Sequence, residues 1–375
     1  MPLEIHFVRA SIFAIKRLIG SLLLLCAAAP FIRPAVADPA ILYVCDASNN
    51  LIRRFNANTG ATIPGGYPAG VFVLPGSNDL DGPRGIFQLG GSLFVASQNV
   101  SKSGTPGQIL LYKLSNGRPD GVFVSSTSPK PPFTPDGIIC QRGVVYASDF
   151  AISDEPGDNP PPGRLLAYDA KTGQILREFD PPDDFPFTFH PRGLVIGPNG
   201  LLYVANMPNL LQPRLGGQIL LFDPETLDFL GAFVNDAGGV NALNRPDALV
   251  FGPDGKLYVT SFRADPTDSD SIRIYDGHTG VYLDEIELYT PPSPPAARAF
   301  AQGILFGPGG KLFVPISGGD ASTTGRIRRY NVQTKAFDVF ADVPTSPQLW
   351  YLTFGKTNPG TLAYDDDNPG GGKPD

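Results

Sequence analysis

The chain has 375 residues, a formal net charge of −7, 42% hydrophobic residues and 17% charged residues. This hydrophobic fraction is normal for a folded protein and excludes disorder throughout, and a negative chain without a basic cluster is a poor candidate for binding nucleic acid. Glycine (43) and proline (40) together exceed a fifth of the chain, which is typical of a fold with many short strands and turns.

The first segment, residues 1–37, has the pattern of a secretory signal peptide. Three basic residues between positions 9 and 17 precede the apolar run "LIGSLLLLCAAAP", and "AVA" ends at Ala37. The run is short and is broken by Pro30, so it does not favour a membrane span, and no other apolar run approaches the ~20 residues that a span requires. We expect a secreted or periplasmic protein whose mature chain carries −10, because the segment itself carries +3.

A hairpin motif recurs along the rest of the chain. The stretch "PRGIFQLGGSLFVAS" begins at Pro83, and related stretches begin at Pro135, Pro191, Pro246 and Ala301. Each copy continues into a third strand such as "GQILLYKLSNG" and a fourth such as "ILREF", with Asn-Gly or Thr-Gly turns that indicate antiparallel hairpins. Self-similarity at this spacing with four short strands per unit predicts a β-propeller.

The two ends of the array complement each other. The mature chain opens directly on "ILYVCD", a second strand, whereas "SPQLWYLTFG" near the C-terminus resembles a first strand without a partner. Joining them completes one blade and removes an exposed sheet edge. The sequence therefore predicts an all-β, six-bladed β-propeller over 38–355, with four-stranded antiparallel blades, a ring closed by a C-terminal strand, and a flexible tail over 356–375. Cys45 and Cys140 are expected to be small buried hydrophobic residues.

One stretch resembles a known repeat. "LYVCDASNNLIRRFNANTG", residues 42–60, is similar to the NHL repeat, in which a Leu-Tyr-Val-Ala-Asp strand is followed by conserved Asn, Arg-Ile, Phe and Gly positions. The resemblance covers about residues 41–355 and implies the propeller fold. It says little about function, because NHL-like propellers include binding modules and enzymes. Gluconolactonase-like metal hydrolases and streptogramin-lyase-like propellers are similar in architecture.

The loops differ between the two faces of such a propeller. Turns between the first and second and between the third and fourth strands are short, whereas the other loops, such as "FAISDEPGDNPPPG" and "YTPPSPPAARAF", are long. We expect function on the long-loop face, since a rigid scaffold with variable loops usually binds there. The second position of each first strand should ring the channel mouth on this face. Those positions hold Arg84, Asp136, Arg192, Asp247, Gln302 and Gln348.

Two interpretations of this ring remain open. Arg–Asp pairs between neighbouring blades, Arg84–Asp136 and Arg192–Asp247, would close the top of the channel and hold the blades together. Alternatively, the ring is a polar ligand site in which Arg84 and Arg192 hold an anionic or carbonyl group.

A metal site is a further prediction. The resemblance to gluconolactonase-like enzymes implies a divalent cation in the channel. Asp136, Asp149, Asn206 and Asp247 carry the oxygen ligands that suit Ca²⁺ or another divalent cation. The Glu-Gly-Pro opening of that family is absent, and two arginines in the same ring would repel a cation. No cofactor is therefore assigned with certainty.

His190 directly precedes a first strand and is a candidate general acid or base near the channel. The other interpretation is a half-buried histidine packed against "FPFTF", residues 185–189. Streptogramin-lyase-like propellers use a histidine, but their Trp-Phe-Thr strand pattern is absent here.

Three functions fit these patterns. The first is an exported binding or interaction module that takes an unknown ligand or protein through its long-loop face and channel mouth. The second is a metal-dependent lactonase-like hydrolase or a lyase with its site in the channel. The third is an interaction scaffold on the cell surface. No complete catalytic motif is present, so the sequence leaves the question of enzymatic activity open. We expect a monomer without a membrane span.

Overall fold

The computed structural model describes residues 40–64, 67–68, 70–151, 161–208, 216–240, 242–289, 298–318 and 324–365. The predicted signal peptide, residues 1–37, lies outside these ranges. In the part of the chain that is described, no helix has both the length and the hydropathy that a membrane span requires.

The described residues contain 24 strands arranged as six four-stranded antiparallel sheets. In chain order the strands are β1 (Ile41–Asp46), β2 (Leu51–Asn56), β3 (Val71–Val73), β4 (Pro83–Leu89), β5 (Ser92–Ser97), β6 (Gln108–Lys113), β7 (Pro119–Val124), β8 (Pro135–Gln141), β9 (Val144–Asp149), β10 (Arg164–Asp169), β11 (Ile175–Phe179), β12 (Pro191–Ile196), β13 (Leu202–Asn206), β14 (Gln218–Phe222), β15 (Phe229–Asn235), β16 (Leu249–Phe251), β17 (Lys256–Ser261), β18 (Ser271–Asp276), β19 (Tyr282–Glu287), β20 (Leu305–Gly307), β21 (Lys311–Ile316), β22 (Arg326–Tyr330), β23 (Phe337–Asp342) and β24 (Leu349–Phe354).

Each sheet is one blade of a six-bladed propeller, which confirms the predicted fold class. Blade 1 has the strand order β24-β1-β2-β3, and blades 2 to 6 each take four consecutive strands, from β4–β7 to β20–β23. The first strands of neighbouring blades pack side by side around the channel. A closed ring of blades leaves only short, protected sheet edges.

The two ends of the described propeller close the ring, as predicted. Strand β24 pairs antiparallel with β1, with Leu42 opposite Phe354 and Val44 opposite Leu352. Strand pairing within one sheet ties the last strand to the first, so separating them would expose two strand edges.

The core lies between neighbouring blades and is rich in aromatic rings. Tyr203 of blade 4 makes edge-on contacts with Phe233 of its own blade and Phe251 of blade 5, both at 5.1 Å between ring centroids. Phe313 of blade 6 contacts Phe354 of blade 1 in the same way, at 4.9 Å. Edge-to-face pairs of this kind stabilise the interfaces beyond the burial of their area.

A glycine follows the second position of most first strands and sets the width of the channel. A Cβ atom on Gly137 would lie 2.7 Å from the carbonyl oxygen of Arg192, and one on Gly193 would lie 2.7 Å from that of Asp247. The backbone N–H of Gly193 donates to the same Asp247 oxygen at 2.8 Å. Neighbouring first strands therefore touch backbone to backbone, which only glycine permits.

Residues 356–365 were expected to be part of a flexible tail, but they form an ordered turn. Thr357 and Tyr364 form an antiparallel bridge, and Oδ1 of Asn358 accepts from the N–H groups of Gly360 and Thr361. A side-chain acceptor of this kind fixes a tight turn. The final residues, 366–375, lie outside the described ranges.

This turn closes the channel on the short-loop face. The carbonyl of Pro359 accepts from the N–H of Cys140, and that of Gly360 accepts from the N–H of Ile196. The side chain of Leu362 packs against three separate clusters of the core. Backbone hydrogen bonds to β8 and β12 therefore anchor a segment whose composition predicted a flexible tail. Cys45 and Cys140 are free and buried, as expected.

Candidate functional site

In five of the six blades a polar residue ends the second strand and holds the loop that leads into the first strand. Oδ1 of Asn206 accepts from the N–H of His190, and Oγ of Ser97 accepts from the N–H of Asp81. Oγ of Ser261 accepts from the N–H of Asn244. These polar side chains are buried, and they form these hydrogen bonds with the backbone of their own blade.

Asp149 holds the corresponding loop of its own blade in the same way, but with a charged side chain. Its carboxylate accepts from the backbone N–H groups of Phe133 and Thr134 and from Nε of Arg164, which lies 2.9 Å away. Burial raises the pKa of Asp149 from its ordinary value, and the arginine and the two N–H groups act against that rise. Asp149 is therefore a structural ion pair at the top of blade 3.

The channel mouth holds a different set of side chains. Strand pairing puts Leu349 of β24 opposite Asp46, as Pro83 of β4 is opposite Ser97. The residue of β24 that corresponds to Arg84 is therefore Trp350, and Gln348 is an exposed residue two positions earlier. The expected place of Gln348 in the ring is corrected to Trp350. The closing strand lacks the Pro-x-Gly start that blades 2 to 4 share.

One ion pair of the ring is closed. Nη1 of Arg192 donates to Oδ2 of Asp136 at 2.6 Å, and both side chains are buried. The guanidinium lies 3.7 Å above the ring of Phe150, and its Nη2 contacts the sulfur of Met207. Burial opposes the charge of Arg192, but Asp136 and then Asp247 outweigh it and raise its pKa. This pair stabilises the mouth between blades 3 and 4.

Arg84 has only neutral partners. Its Nε donates to Gln98 at 2.8 Å and its Nη1 to Gln302 at 2.6 Å, while the guanidinium stacks 3.3 Å from the centre of the Trp350 ring. Within the described residues Arg84 forms no ion pair, and its Nη2 has no hydrogen-bond partner. Burial lowers the pKa of Arg84 to about 10, although Asp136 acts against it. As a whole residue, Arg84 is partly exposed.

Asp247 is the acidic counterpart of Arg84, because it too has only a neutral hydrogen-bond partner. Its Oδ1 accepts from the hydroxyl of Tyr351 at 3.1 Å, and among the described residues its Oδ2 has no partner. Burial and the neighbouring Asp136 carboxylate raise the pKa of Asp247 to about 7, while Arg192 and Arg84 act in the opposite direction. The carboxyl group therefore keeps its proton to a higher pH than an ordinary aspartate does.

The structure forms neither of the two predicted Arg–Asp pairs, Arg84–Asp136 and Arg192–Asp247. Arg192 pairs with the aspartate of the preceding blade, Asp136, and not with Asp247. Within the described residues, Oδ1 of Asp136 and Nε of Arg192 are buried without hydrogen-bond partners. Buried polar atoms of this kind call for water or a ligand group. The structure thus has one Arg–Asp pair in the ring, a pair other than the two predicted, and among the described residues Arg84 and Asp247 form no ion pair.

The channel beneath the ring is narrow and apolar. A cavity of about 40 Å³ is lined by Ile86, Ala248, Tyr351 and Leu352, with Leu362 on the side of the C-terminal turn. Room of this size suffices for about one water molecule or one small apolar group. A ligand at the ring must therefore lie mainly above it, on the long-loop face.

His190 is buried beside the mouth. Its ring contacts that of Phe150 at 5.0 Å between centroids, and Nδ1 lies 3.1 Å from the carbonyl oxygen of Pro208. Phe150 also carries Arg192 over its ring. His190 is thus more deeply buried than the half-buried alternative, and its role as an acid or base stays a prediction.

The four predicted metal ligands do not meet at one point. Asp149 and Asn206 use their oxygens within blades 3 and 4, whereas Asp136 and Asp247 face the channel together with two arginines. Among the described residues, no group of three or more His, Cys, Asp or Glu side chains is placed to hold a metal ion. This donor set does not fit a hard divalent cation, which takes six to eight oxygen ligands.

Sequence reasoning missed four side chains of the mouth: Gln98, Phe150, Trp350 and Tyr351. The first two follow the last residue of a second strand, so the two-residue alternation of a strand would have pointed to them. Tyr351 stands where four of the other five first strands have glycine. Its hydroxyl reaches Asp247 two blades away. Only the pairing of β24 with β1 identifies Trp350 and Tyr351.

No family model and no curated protein sequence matches the chain. Among solved structures, the chain is similar to one from a nidogen/laminin complex, with 12% identity and a TM-score of 0.58 over 86% of this chain and 99% of that chain. A protein of unknown function from Bacteroides caccae matches with 12% identity and a TM-score of 0.54 over 84% and 98%. A putative gluconolactonase has 16% identity and a TM-score of 0.47 over 76% and 83%. At these identities the first two matches show the fold alone, and that fold agrees with the propeller expected from the sequence.

Proposed function

We propose that the protein is an exported binding module that holds a polar ligand at the channel mouth of its long-loop face. The observation that supports this function is that Arg84 and Asp247 have only neutral partners. Each keeps one polar atom without a hydrogen bond among the described residues.

The energetics of burial support a ligand at this position. A charged group removed from water without an opposite charge costs free energy, and removal of the charge by a pKa shift limits that cost. The pKa of Asp247, raised to about 7, is such a shift. A ligand that brings polar groups to Arg84 and Asp247 recovers part of this free energy on binding.

A thermal-shift screen of charged, neutral and zwitterionic small molecules tests the proposal. We expect at least one class to raise the melting temperature of the wild-type protein, and Arg84→Gln to abolish that rise. Arg118→Gln is the matched control, because Arg118 is exposed and its backbone N–H bonds only to Asn116 in the local turn. A screen in which no rise in melting temperature depends on Arg84 would contradict the proposal.

Export is part of the same proposal. It rests on the sequence of residues 1–37, which has the basic, apolar and Ala-x-Ala regions of a signal peptide. The N-terminal sequence of the protein purified from its natural host tests it. Cleavage after Ala37 is the expected result, and an intact N-terminus on cytoplasmic protein would contradict export.

A further inference from the structure

The two charges without ion pairs stand on opposite sides of the ring. Arg84 belongs to blade 2 and Asp247 leads into blade 5, and in a six-bladed ring these blades face each other. Gln302 and Tyr351 reach across the same opening to them, Gln302 to the arginine and Tyr351 to the aspartate. The mouth therefore has a positive side and an acidic side, separated by the Arg192–Asp136 pair.

We propose that the ligand is a small zwitterion, an amino acid or a related amino-carboxylate, whose carboxylate binds Arg84 and whose ammonium group binds Asp247. This inference rests on the proposed function and names the ligand class of that same site. The groups that would bind are Nη2 of Arg84 and Oδ2 of Asp247, each without a hydrogen-bond partner among the described residues.

Charge balance favours a zwitterion over a simple ion. Arg192 is already neutralised by Asp136 at 2.6 Å, so one positive and one acidic group remain. A simple carboxylate would pair with Arg84 and leave Asp247 buried beside a second negative charge. A simple amine would leave Arg84 with its amide partners only. A ligand that carries both charges compensates both sides, and charge-assisted hydrogen bonds of this kind are about twice as strong as neutral ones.

The size of the channel limits the ligand. The apolar cavity beneath the ring is about 40 Å³, so it admits about one small apolar group, and the two charged groups of the ligand must stay at the level of the ring. Bulky side chains would have to point toward the long-loop face.

The pH dependence of binding has a definite sign. The charged groups that face Asp247 are Asp136, Arg192 and Arg84, together with the hydroxyl of Tyr351, and its pKa is about 7 in the free protein. An ammonium group beside the carboxylate stabilises its ionised form and lowers that pKa, so binding releases a proton. Affinity should therefore increase from pH 6 to pH 8. A carboxylate ligand without an ammonium group would take up a proton and show the opposite trend.

Titration calorimetry of the mature chain tests the ligand class. The probes are the twenty common L-amino acids, measured one at a time, and for each binder the matched carboxylic acid without the amino group and the matched amine without the carboxylate. We expect at least one amino acid to bind, and both of its matched compounds to bind at least tenfold more weakly. Affinity for the amino acid should rise with pH between 6 and 8.

Three variants assign the contacts. Arg84→Gln and Asp247→Asn should each weaken binding at least tenfold, and Arg84→Lys should retain part of it because the charge remains. The control is Asp184→Asn, an exposed aspartate on the same face, which should leave the affinity unchanged. Circular dichroism and melting temperatures of every variant separate loss of binding from loss of folding.

The possible failures are distinguishable. If the matched carboxylic acids bind as tightly as the amino acids and Asp247→Asn has no effect, the ligand class is wrong while a binding site at Arg84 stands. An affinity that falls between pH 6 and pH 8 would also overturn the zwitterion. If no compound of any class binds in a manner that depends on Arg84, both the ligand class and the proposed function fail.

Discussion

Two sets of buried carboxylates lie at the same end of this propeller and differ in their partners. At the top of blade 3, Asp149 has an arginine and two backbone N–H groups, and Asp46 in blade 1 has Arg53 at 2.8 Å with serine and asparagine side chains. In the channel mouth, Asp247 has one tyrosine hydroxyl. Burial of an acidic residue therefore does not by itself mark a site. A site is indicated where the surrounding protein supplies no ion pair for the charge.

The largest expected effect is on stability and concerns the buried aspartates that form ion pairs, Asp149 and Asp46. Asp149→Ala should lower the free energy of unfolding by about 3–5 kcal/mol, because it leaves Arg164 without its buried partner and two backbone N–H groups without acceptors. Urea unfolding followed by tryptophan fluorescence or circular dichroism measures the loss. A loss below about 1 kcal/mol would show that the second-strand aspartates are not structural.

The next effect concerns the backbone that supports the mouth. Gly193→Ala should lower the free energy of unfolding by about 1–3 kcal/mol, because its Cβ would lie 2.7 Å from the carbonyl oxygen of Asp247 and force the first strands apart. Gly200→Ala makes a useful comparison, since that glycine has open space but a φ of +80°, so its cost comes from backbone conformation alone. Equal ligand affinity in Gly193→Ala and wild type would argue against a rigid mouth.

A smaller, pH-dependent effect distinguishes Asp247 from the structural aspartates. The pKa of Asp247 is about 7 when folded, against 3.8 as the ordinary value. Its contribution to stability is therefore fully present below about pH 4 and is lost as pH rises through 7. Asp247→Asn removes this loss. The difference in unfolding free energy, variant minus wild type, should increase between pH 5 and pH 8 by more than about 1 kcal/mol.

Asp184→Asn is the control for that measurement, since Asp184 is exposed and its substitution removes a carboxylate outside the channel mouth. A flat difference for Asp247→Asn would mean that Asp247 is ionised and compensated at all these pH values.

The smallest expected effect is that of chelation. Because the channel mouth sets two arginines beside Asp136 and Asp247, we expect EDTA to leave the melting temperature unchanged. Differential scanning calorimetry with and without chelator, with elemental analysis of the purified protein, measures this. A copurifying divalent cation whose removal lowers the melting temperature by several degrees would restore the metal-site prediction.

Much of the fold could be predicted from the sequence because the hairpin motif recurs five times. The starts of its copies and the Asn-Gly and Thr-Gly turns locate the strands, and the unmatched strands at the two ends predict the closure of the ring. The predicted register of the closing strand was displaced by two residues, with Gln348 in place of Trp350, because β24 does not begin with a copy of the motif. The turn over 356–365 was missed because backbone hydrogen bonds to Cys140 and Ile196 order it, and composition carries no sign of them.

The sequence predicted which charged residues lie at the candidate site, but not which of them pair with each other. The charged positions Arg84, Asp136, Arg192 and Asp247 follow from the repeat, and all four are found at the mouth. Which arginine bonds to which aspartate depends on side-chain rotamers and on neighbours from other blades, above all Tyr351. A pattern with a period of one blade contains no information about contacts across the channel.

Arg192 and Arg84 lower the pKa of Asp247 from a distance, but among the described residues Asp247 forms no ion pair, and we expect it to form one only when a ligand supplies a cation. An NMR titration of the wild-type protein with ¹³C-labelled aspartate carboxyl groups tests this expectation, with Asp247→Asn used to assign the signal. We expect a midpoint near pH 7 in the free protein and a lower midpoint when a zwitterionic ligand is bound. A midpoint at or below the ordinary aspartate value in the free protein would show instead that Asp247 is already paired.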